Sequence, residues 1–391
     1  MANGCHAGKF NRQGDIVHEM YTKAREFAVK HIDPWAKIID EEQRFPVETF
    51  EALGNEGWLK LLIPREYGGD GLTMVEFADA CRGFAQSSCS VGLCFMMHNV
   101  ATMCVIANGN EELKKQVFAD VVNNHKFLAL AYSEFGTGTH FYIPEVSAVV
   151  EGDHVTINGT KSMVTSARHA SYYLVLTPSD VEGAIDNWVV PIDAPGLSFV
   201  PGAWDGLGMR GNVSCPMKMD NVELPLMNRI GAAGSGMEQV FGVVAPFFIT
   251  GLAAVYTGLS QDVLAEALNR AHNRTYPFGT GLKDIETIQL HISNIYASTN
   301  AAIEGTNEAA RAAVAGEEDA LAKILSARIF ASEAAIENAT IGMRIVGGKG
   351  YNGASSMERL LRDSFAGQIM APSVDVLHVW LGKALLGLPL P

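Results

Sequence analysis

The stretch from Phe127 to Leu174 constrains the fold of this chain more than any other. Short apolar runs alternate there with turns of glycine and hydroxyl residues, the pattern of strands rather than helices. Phe127–Tyr132 is the first run. It leads into Ser133-Glu134-Phe135-Gly136-Thr137-Gly138-Thr139, a loop of glycines and hydroxyls. Val146–Val150 follows, then a Gly152-Asp153 turn, then Val155-Thr156-Ile157. That run ends at Asn158-Gly159, a dipeptide that favours a hairpin. A second hydroxyl cluster comes at Lys161-Ser162-Met163-Val164-Thr165-Ser166. Two such turns at strand ends suit a planar polar ligand. Short side chains let the backbone approach it, and N–H and O–H groups can bond a ring edge.

The flanks read as helices. Val17, Met20, Ala24 and Phe27 are spaced three to four apart, up to a break at Asp33-Pro34. Pro46 opens another helix, Met74–Ala85 and Leu93–Ala107 are two more, and Asn110 is the expected N-cap of a last one. Strand character then runs from 127 to about 230. Beyond Gly236 the long helical pattern returns, with alanine-rich segments of high helix propensity. This order predicts an α+β fold in three parts. They are an N-terminal α-helical domain (1–126), a middle antiparallel β-domain (127–232) and a C-terminal four-helix bundle (233–391).

Charge and cysteine usage narrow the function classes. A net charge of -14 excludes a nucleic-acid partner, which needs a basic face. The six cysteines form no C-x-x-C pair, and four fall in one helical region, so neither a disulfide framework nor a metal site is expected. The opening MANGCHAGKFNRQGDIV has no apolar core segment, and the expectation is a cytoplasmic protein with reduced thiols. The uncharged run Gln239–Gln261 is long enough to span a bilayer. Its proline, its glycines and its lack of a basic flank point instead to a helix buried in a bundle or a subunit interface, with no membrane insertion.

The central block also resembles the middle domain of the acyl-CoA dehydrogenases, which are FAD-dependent. The family pattern is T-E-P-G-A-G-S-D, a strand, then N-G-x-K and a final I-T. Ser133-Glu134, Gly138-Thr139-His140, Asn158-Gly159-Thr160-Lys161 and Val164-Thr165 stand at those places. The similarity extends over nearly the whole chain. It implies FAD contacts at Tyr132, Ser133, Gly138, Thr139, Met163 and Thr165. It implies further contacts at Arg274 and Phe278, and at Arg344, Gly347 and Gly348, which reach the cofactor of a neighbouring subunit. Thr139 and His98 are the implied substrate contacts, the favoured alternative for His98 being a satisfied histidine in a buried helix. The implied assembly is a homotetramer, and the implied partners are an acyl-CoA or acyl-carrier thioester and an electron acceptor or flavin reductase.

In this family a carboxylate removes the proton beside the thioester carbonyl while flavin N5 takes a hydride. Aligned on Arg362-Asp363 and Gln368-Ile369, the position of that base is Ala371. The alternative position on the first bundle helix is Phe248, so neither is a carboxylate. Ile303-Glu304-Gly305-Thr306 copies the letters of the base loop but comes about sixty residues too early, in a helix-like segment. Asp375 is a candidate displaced base, set against a solvated carboxylate at a helix start. Three functions follow from the resemblance. The first is α,β-desaturation of an acyl thioester with an atypical or displaced base. The second is a monooxygenase on the same scaffold using reduced flavin and oxygen. The third is a redox-inactive ligand-binding member.

Overall fold

The structure, a computed structural model, describes residues 19–390, so Val17 and Cys5 lie outside the described residues. Six helices form the first layer: α1 (Glu19–His31), α2 (Asp33–Glu42), α3 (Val47–Asn55), α4 (Met74–Ala85), α5 (Cys89–Asn108) and α6 (Glu111–Asn124). The Asp33-Pro34 break separates α1 from α2, with the proline in the first turn of α2, where its missing N–H costs nothing. Thr73 and Glu76 cap α4 reciprocally. Asn110 caps α6, its Oδ1 accepting from Leu113 N–H at 2.9 Å. Helix α5 is apolar on nearly all sides and accordingly almost wholly buried, packing on α4 and on the first strand.

Eight strands follow: β1 (Leu128–Ala131), β2 (Ser147–Glu151), β3 (His154–Val164), β4 (Tyr172–Pro178), β5 (Ile185–Pro191), β6 (Leu197–Phe199), β7 (Cys215–Pro225) and β8 (Arg229–Ile230). They form two four-stranded sheets, ordered β1-β4-β5-β8 and β2-β3-β7-β6. Two expectations change here. One pair is not antiparallel: β1 runs parallel to β4, Leu128 opposite Tyr172, because the chain crosses through the second sheet before returning beside β1. Asn158-Gly159 is also not a hairpin turn. Strand β3 runs straight through it, with a register shift against β7 between Ile157 and Gly159. Asn158 Oδ1 accepts from Asn221 N–H at 2.7 Å, so cross-strand pairing overrides the local turn preference. Gly159 has φ 137°, and a Cβ there would come 2.6 Å from Val146 Cγ1. The hairpin turn is Gly152-Asp153, between β2 and β3.

The bundle opens with α7 (Gly236–Gln239), a π-helical turn at Val240–Val244 and α8 (Ala245–Asn273), which are continuous. Then come α9 (Glu286–Ala315), α10 (Ala320–Val346), the single turn α11 (Gly348–Tyr351), α12 (Met357–Ile369) and α13 (Val374–Leu385). Helix α10 is central, packing on α8, α9, α12 and α13. The Ile303–Glu308 sequence lies inside α9. Two helices, Cys89–Asn108 and Gly236–Asn273, are long and apolar enough to cross a membrane, but their most apolar windows are 89% and 67% buried inside the protein.

The α4–α8 contact depends on a glycine. A Cβ on Gly258 would lie 2.4 Å from the carbonyl oxygen of Arg82 and 3.0 Å from Ala85 Cβ. Gly258→Ala is therefore expected to destabilise the protein by about 1–3 kcal/mol through overpacking. Gly305→Ala in α9, where a Cβ meets nothing, is expected to stabilise it by up to about 1 kcal/mol through helix propensity. Denaturant unfolding of the two variants measures both signs.

Candidate active site

A cavity of about 500 Å³ opens where the three layers meet. Its floor is apolar and buried: Met97 from α5, Leu130 from β1, Met209, and Val244 and Ile249 from the first bundle helix. Its mouth is an exposed apolar collar of Phe135, Met163, Leu207, Phe365 and Ile369. One side is polar. Ser133 and Ser162 are adjacent, with Ser162 N–H donating to the Ser133 carbonyl at 2.8 Å. Thr165 Oγ1 lies 3.2 Å from Ser214 Oγ, which in turn donates to Asn212 Oδ1 at 3.2 Å. The two hydroxyl turns of the central block therefore meet on one wall, through Ser162-N to Ser133-O, a bond between sequence-distant strand ends.

The predicted site residues divide into three groups. Tyr132, Ser133, Gly138, Met163 and Thr165 all line the cavity. Thr139 is half-buried beside it and is not part of the lining. Arg274, Phe278, Arg344, Gly347 and Gly348 are not brought to this cavity within one subunit. Arg274 lies over the Tyr276 ring at 5.0 Å, and Phe278 stacks on the same ring at 5.2 Å. Gly347 ends α10 with φ 65°, its N–H bonded to the Met343 carbonyl at 2.8 Å, and open space stands where its Cβ would be.

His98 does not line the cavity, contrary to the expectation of a substrate contact. It is fully buried in α5, its Nε2 donating to the Leu59 carbonyl at 2.7 Å and its Nδ1 accepting from Leu128 N–H at 3.1 Å. That pair of bonds fixes a neutral ring that ties α5 to the loop after α3 and to β1. Burial pushes its pKa down to about 4.

Both base positions, Ala371 and Phe248, line the cavity. Asp375 stands exposed in the first turn of α13, away from the lining. Among the described residues, the charged side chains on the lining are Glu134 and Arg362. Glu134 bonds Lys161 Nζ at 2.5 Å through Oε1, and its Oε2 accepts from Glu145 N–H at 3.0 Å. Lys161 also donates to the Leu176 carbonyl at 2.6 Å, and burial, opposed by the Glu134 carboxylate, draws its pKa down to about 8. Arg362 holds Asp40 at 2.5 Å, Glu358 at 2.7 Å and the Leu207 carbonyl at 3.1 Å. Its neighbour Asp363 accepts from Met209 N–H at 2.6 Å, and burial raises its pKa to about 6, against the lowering pull of Arg359.

Beyond the residues expected from sequence, Phe141, Trp204, Asn212, Ser214 and Phe365 also line the cavity, and Arg362, otherwise an alignment point, stands on its wall. An Arg-Asp dipeptide ahead of an apolar helix end was the one available signal for Arg362. The others come from loops whose placement depends on tertiary contacts.

Helical and β layers thus enclose an apolar cavity with one hydroxyl-lined wall. Family models agree along the chain. The acyl-CoA dehydrogenase N-terminal domain matches residues 17–125, the middle domain 129–222 and the C-terminal domain 250–385. The chain is 29% identical over 371 residues to the probable acyl-CoA dehydrogenase FadE25 of Mycobacterium tuberculosis, covering 94% of this chain and 95% of that one. It is 28% identical to the human mitochondrial short-chain specific acyl-CoA dehydrogenase, covering 95% and 90%. Its fold matches butyryl-CoA dehydrogenase from Megasphaera elsdenii with a TM-score of 0.90 at 23% identity, covering 97% and 100%. The chain belongs to the acyl-CoA dehydrogenase family and is a flavoenzyme of that family.

The neutral core histidine carries a pH signature. His98 resists protonation in the folded state but takes a proton at about 6.5 once unfolded. Its contribution is fully present above pH 6.5 and is lost as pH falls toward 4. The loss by pH 4 is about 3 kcal/mol. The difference in stability between the wild type and His98→Asn is expected to shrink on acidification across that window. Denaturant titrations at pH 7.5, 5.5 and 4.5 measure it.

Proposed function

We propose that this enzyme carries out flavin-dependent oxidation of an acyl thioester without a carboxylate base at either usual position. The single observation behind this reading is the cavity wall itself: Ala371 and Phe248 both face the reaction space, and its two charged residues are already paired. The lining fits a flavin. Ser133, Ser162 and Thr165 offer short hydroxyls to a ring edge, Met163 offers an apolar face, and Gly138 leaves open space beside its Cα. When bound, the flavin supplies the two-electron chemistry that no side chain here provides. The residues' own part is to hold the ring edge, exclude water with the apolar collar and orient the thioester.

FAD rather than FMN is part of this reading. Arg274 and the Gly347–Gly348 turn stand off the cavity, with open space at both glycines, as expected of a cradle for the diphosphate tail from a second subunit. A homotetramer supplies that second subunit. Exposed Leu290, Tyr296, Val379 and Leu386 on the outside of the bundle support such an assembly. The five described cysteines, all buried and free, accord with a reducing, cytoplasmic setting. Acid release of the cofactor is expected to give FAD, and light scattering at micromolar concentration a tetramer. FMN alone, or a monomer, would reverse the respective point.

The missing base also favours a second reading, a monooxygenase fed with reduced flavin, because oxygen chemistry does not require abstraction of the α-proton by residue 371. Anaerobic mixing separates the two. Wild-type bleaching by acyl-CoA is expected to be slow. Ala371→Glu combined with Pro372→Gly, which relieves the restriction proline places on the preceding residue, is expected to speed it by about 10²–10⁴-fold. Fast bleaching by the wild type would show that a base has been overlooked. No bleaching by either protein, with an oxygen atom from dioxygen entering the thioester when reduced flavin is supplied, would establish the second reading.

A further inference from the structure

We propose that Thr165, Ser214 and Asn212 form a polarised hydrogen-bond chain, and that this chain makes the cavity bind a flavin more tightly in its two-electron reduced state than in its oxidised state. The inference rests on the flavin reading above and adds to it a preference of redox state. The polarity of the chain follows from counting protons. A hydroxyl carries one proton and an amide oxygen none. Asn212 Oδ1 therefore only accepts, and the proton of Ser214 Oγ goes to it at 3.2 Å. The contact between Thr165 Oγ1 and Ser214 Oγ, also 3.2 Å, is then donated by Thr165. Thr165 has no proton left and offers lone pairs. At the other end Asn212 has given its oxygen to Ser214, and its Nδ2 has no partner among the described residues. All three residues line the cavity, which thus meets an acceptor at one end of the chain and a donor at the other.

The turn that carries the chain is set by protein bonds alone. Met209 and Val213 bracket it in the left-handed region, with φ 52° and 46°, which a β-branched residue such as Val213 enters only against steric strain. Three bonds hold it there. Ser166 N–H donates to the Asn212 carbonyl at 2.8 Å, Gly211 N–H to Ser90 Oγ at 3.2 Å, and Met209 N–H to Asp363 at 2.6 Å. The three side chains of the relay are buried, so water does little to weaken its polarity. An oxidised flavin edge carries bare ring nitrogens and carbonyl oxygens, with one N–H between the carbonyls. Reduction by two electrons, with protons taken from solvent, adds N–H and leaves the ring richer in negative charge. A hydroxyl with only lone pairs to offer repels a bare nitrogen and receives an N–H. An amide N–H bonds more strongly to an oxygen that has gained negative charge. Both ends of the chain therefore favour the same redox state.

The test reads the two-electron midpoint potential of FAD bound to the protein, by dye equilibration under anaerobic conditions, against that of free FAD. No substrate and no turnover are involved. The wild-type potential is expected to lie above that of free FAD by at least about 30 mV, which is about tenfold tighter binding of the reduced state. Ser214→Ala releases the Thr165 proton and lets Thr165 donate, and Asn212→Ala removes the amide N–H. Each is expected to cut the preference about tenfold, again about 30 mV. Ser214→Thr, which keeps the hydroxyl, is expected to retain the wild-type value. A merely structural role for these residues would weaken both redox states alike and leave the potential unmoved. Unmoved potentials in both alanine variants, or a wild-type potential at or below that of free FAD, would overturn the proposal while leaving the flavin reading intact. Failure of the wild type to bind FAD in either state would overturn both. Should the alanine variants not fold, the wild-type potential decides alone.

Discussion

The Arg362-Asp363 pair is the interaction on which the arrangement of the three layers depends. Arg362 leaves α12 of the bundle, grips Asp40 of α2 with two nitrogens, and reaches the Leu207 carbonyl in the β-domain loop. Asp363, one residue on, receives the Met209 N–H of the same loop. Close approach reinforces the joint: a Cβ on Gly208 would lie 2.4 Å from the Arg362 carbonyl oxygen. A two-residue segment thus bonds all three domains beside the cavity they share. Removing either partner of this partly buried ion pair leaves the other without its opposite charge beside the cavity. The same joint also places Leu207 at the mouth and Met209 on the floor. Stability and cavity shape are set by the same bonds.

Glu134 and Lys161 do comparable work within the β-domain. The pair is almost wholly buried, and it ties the end of the β1 loop to the middle of β3. Glu134 also closes the loop of residues 135–144 at its return, through the Glu145 N–H. That loop carries Phe135 and Phe141 to the cavity, and Tyr142 packs on Phe241 of the π-helical turn at 5.3 Å. Both charged residues on the lining are therefore spent on architecture. A wall whose charges are all internally paired presents itself to a ligand as neutral.

How legible was this in the sequence? Periodicity placed the helices of the first layer and the bundle well, because long apolar stripes leave little choice. The hydroxyl-rich segments at 133–139 and 161–166 lie side by side, Ser162 N–H bonding the Ser133 carbonyl, although 161–164 is the end of β3 rather than a turn. Local signals failed where tertiary pairing outweighed them. Asn158-Gly159 has the chemistry of a turn, yet Asn158 is held by Asn221 from another strand. His98 fits the reading of a satisfied histidine in a buried helix, and what no local window holds is its partners, Leu59 and Leu128, distant in sequence. Arg362 looked like a marker because its partners are Asp40 and Leu207, far apart along the chain. No window of sequence contains such a contact.

The division of labour between layers bears on the chemistry. The polar wall comes from the β-domain, while Phe248 and Ala371 come from the bundle and the loop after α12. Phe248 and Ala371 can therefore be substituted without touching the hydroxyls of the β-domain wall. The structural joint does not involve either residue: Arg362 and Asp363 bond Asp40, Glu358, Leu207 and Met209. A base can be absent from both positions with the fold and the cofactor wall intact. The two charged residues on the cavity lining, Glu134 and Arg362, keep their partners, so residues without charge at 248 and 371 leave no ion pair of that lining incomplete.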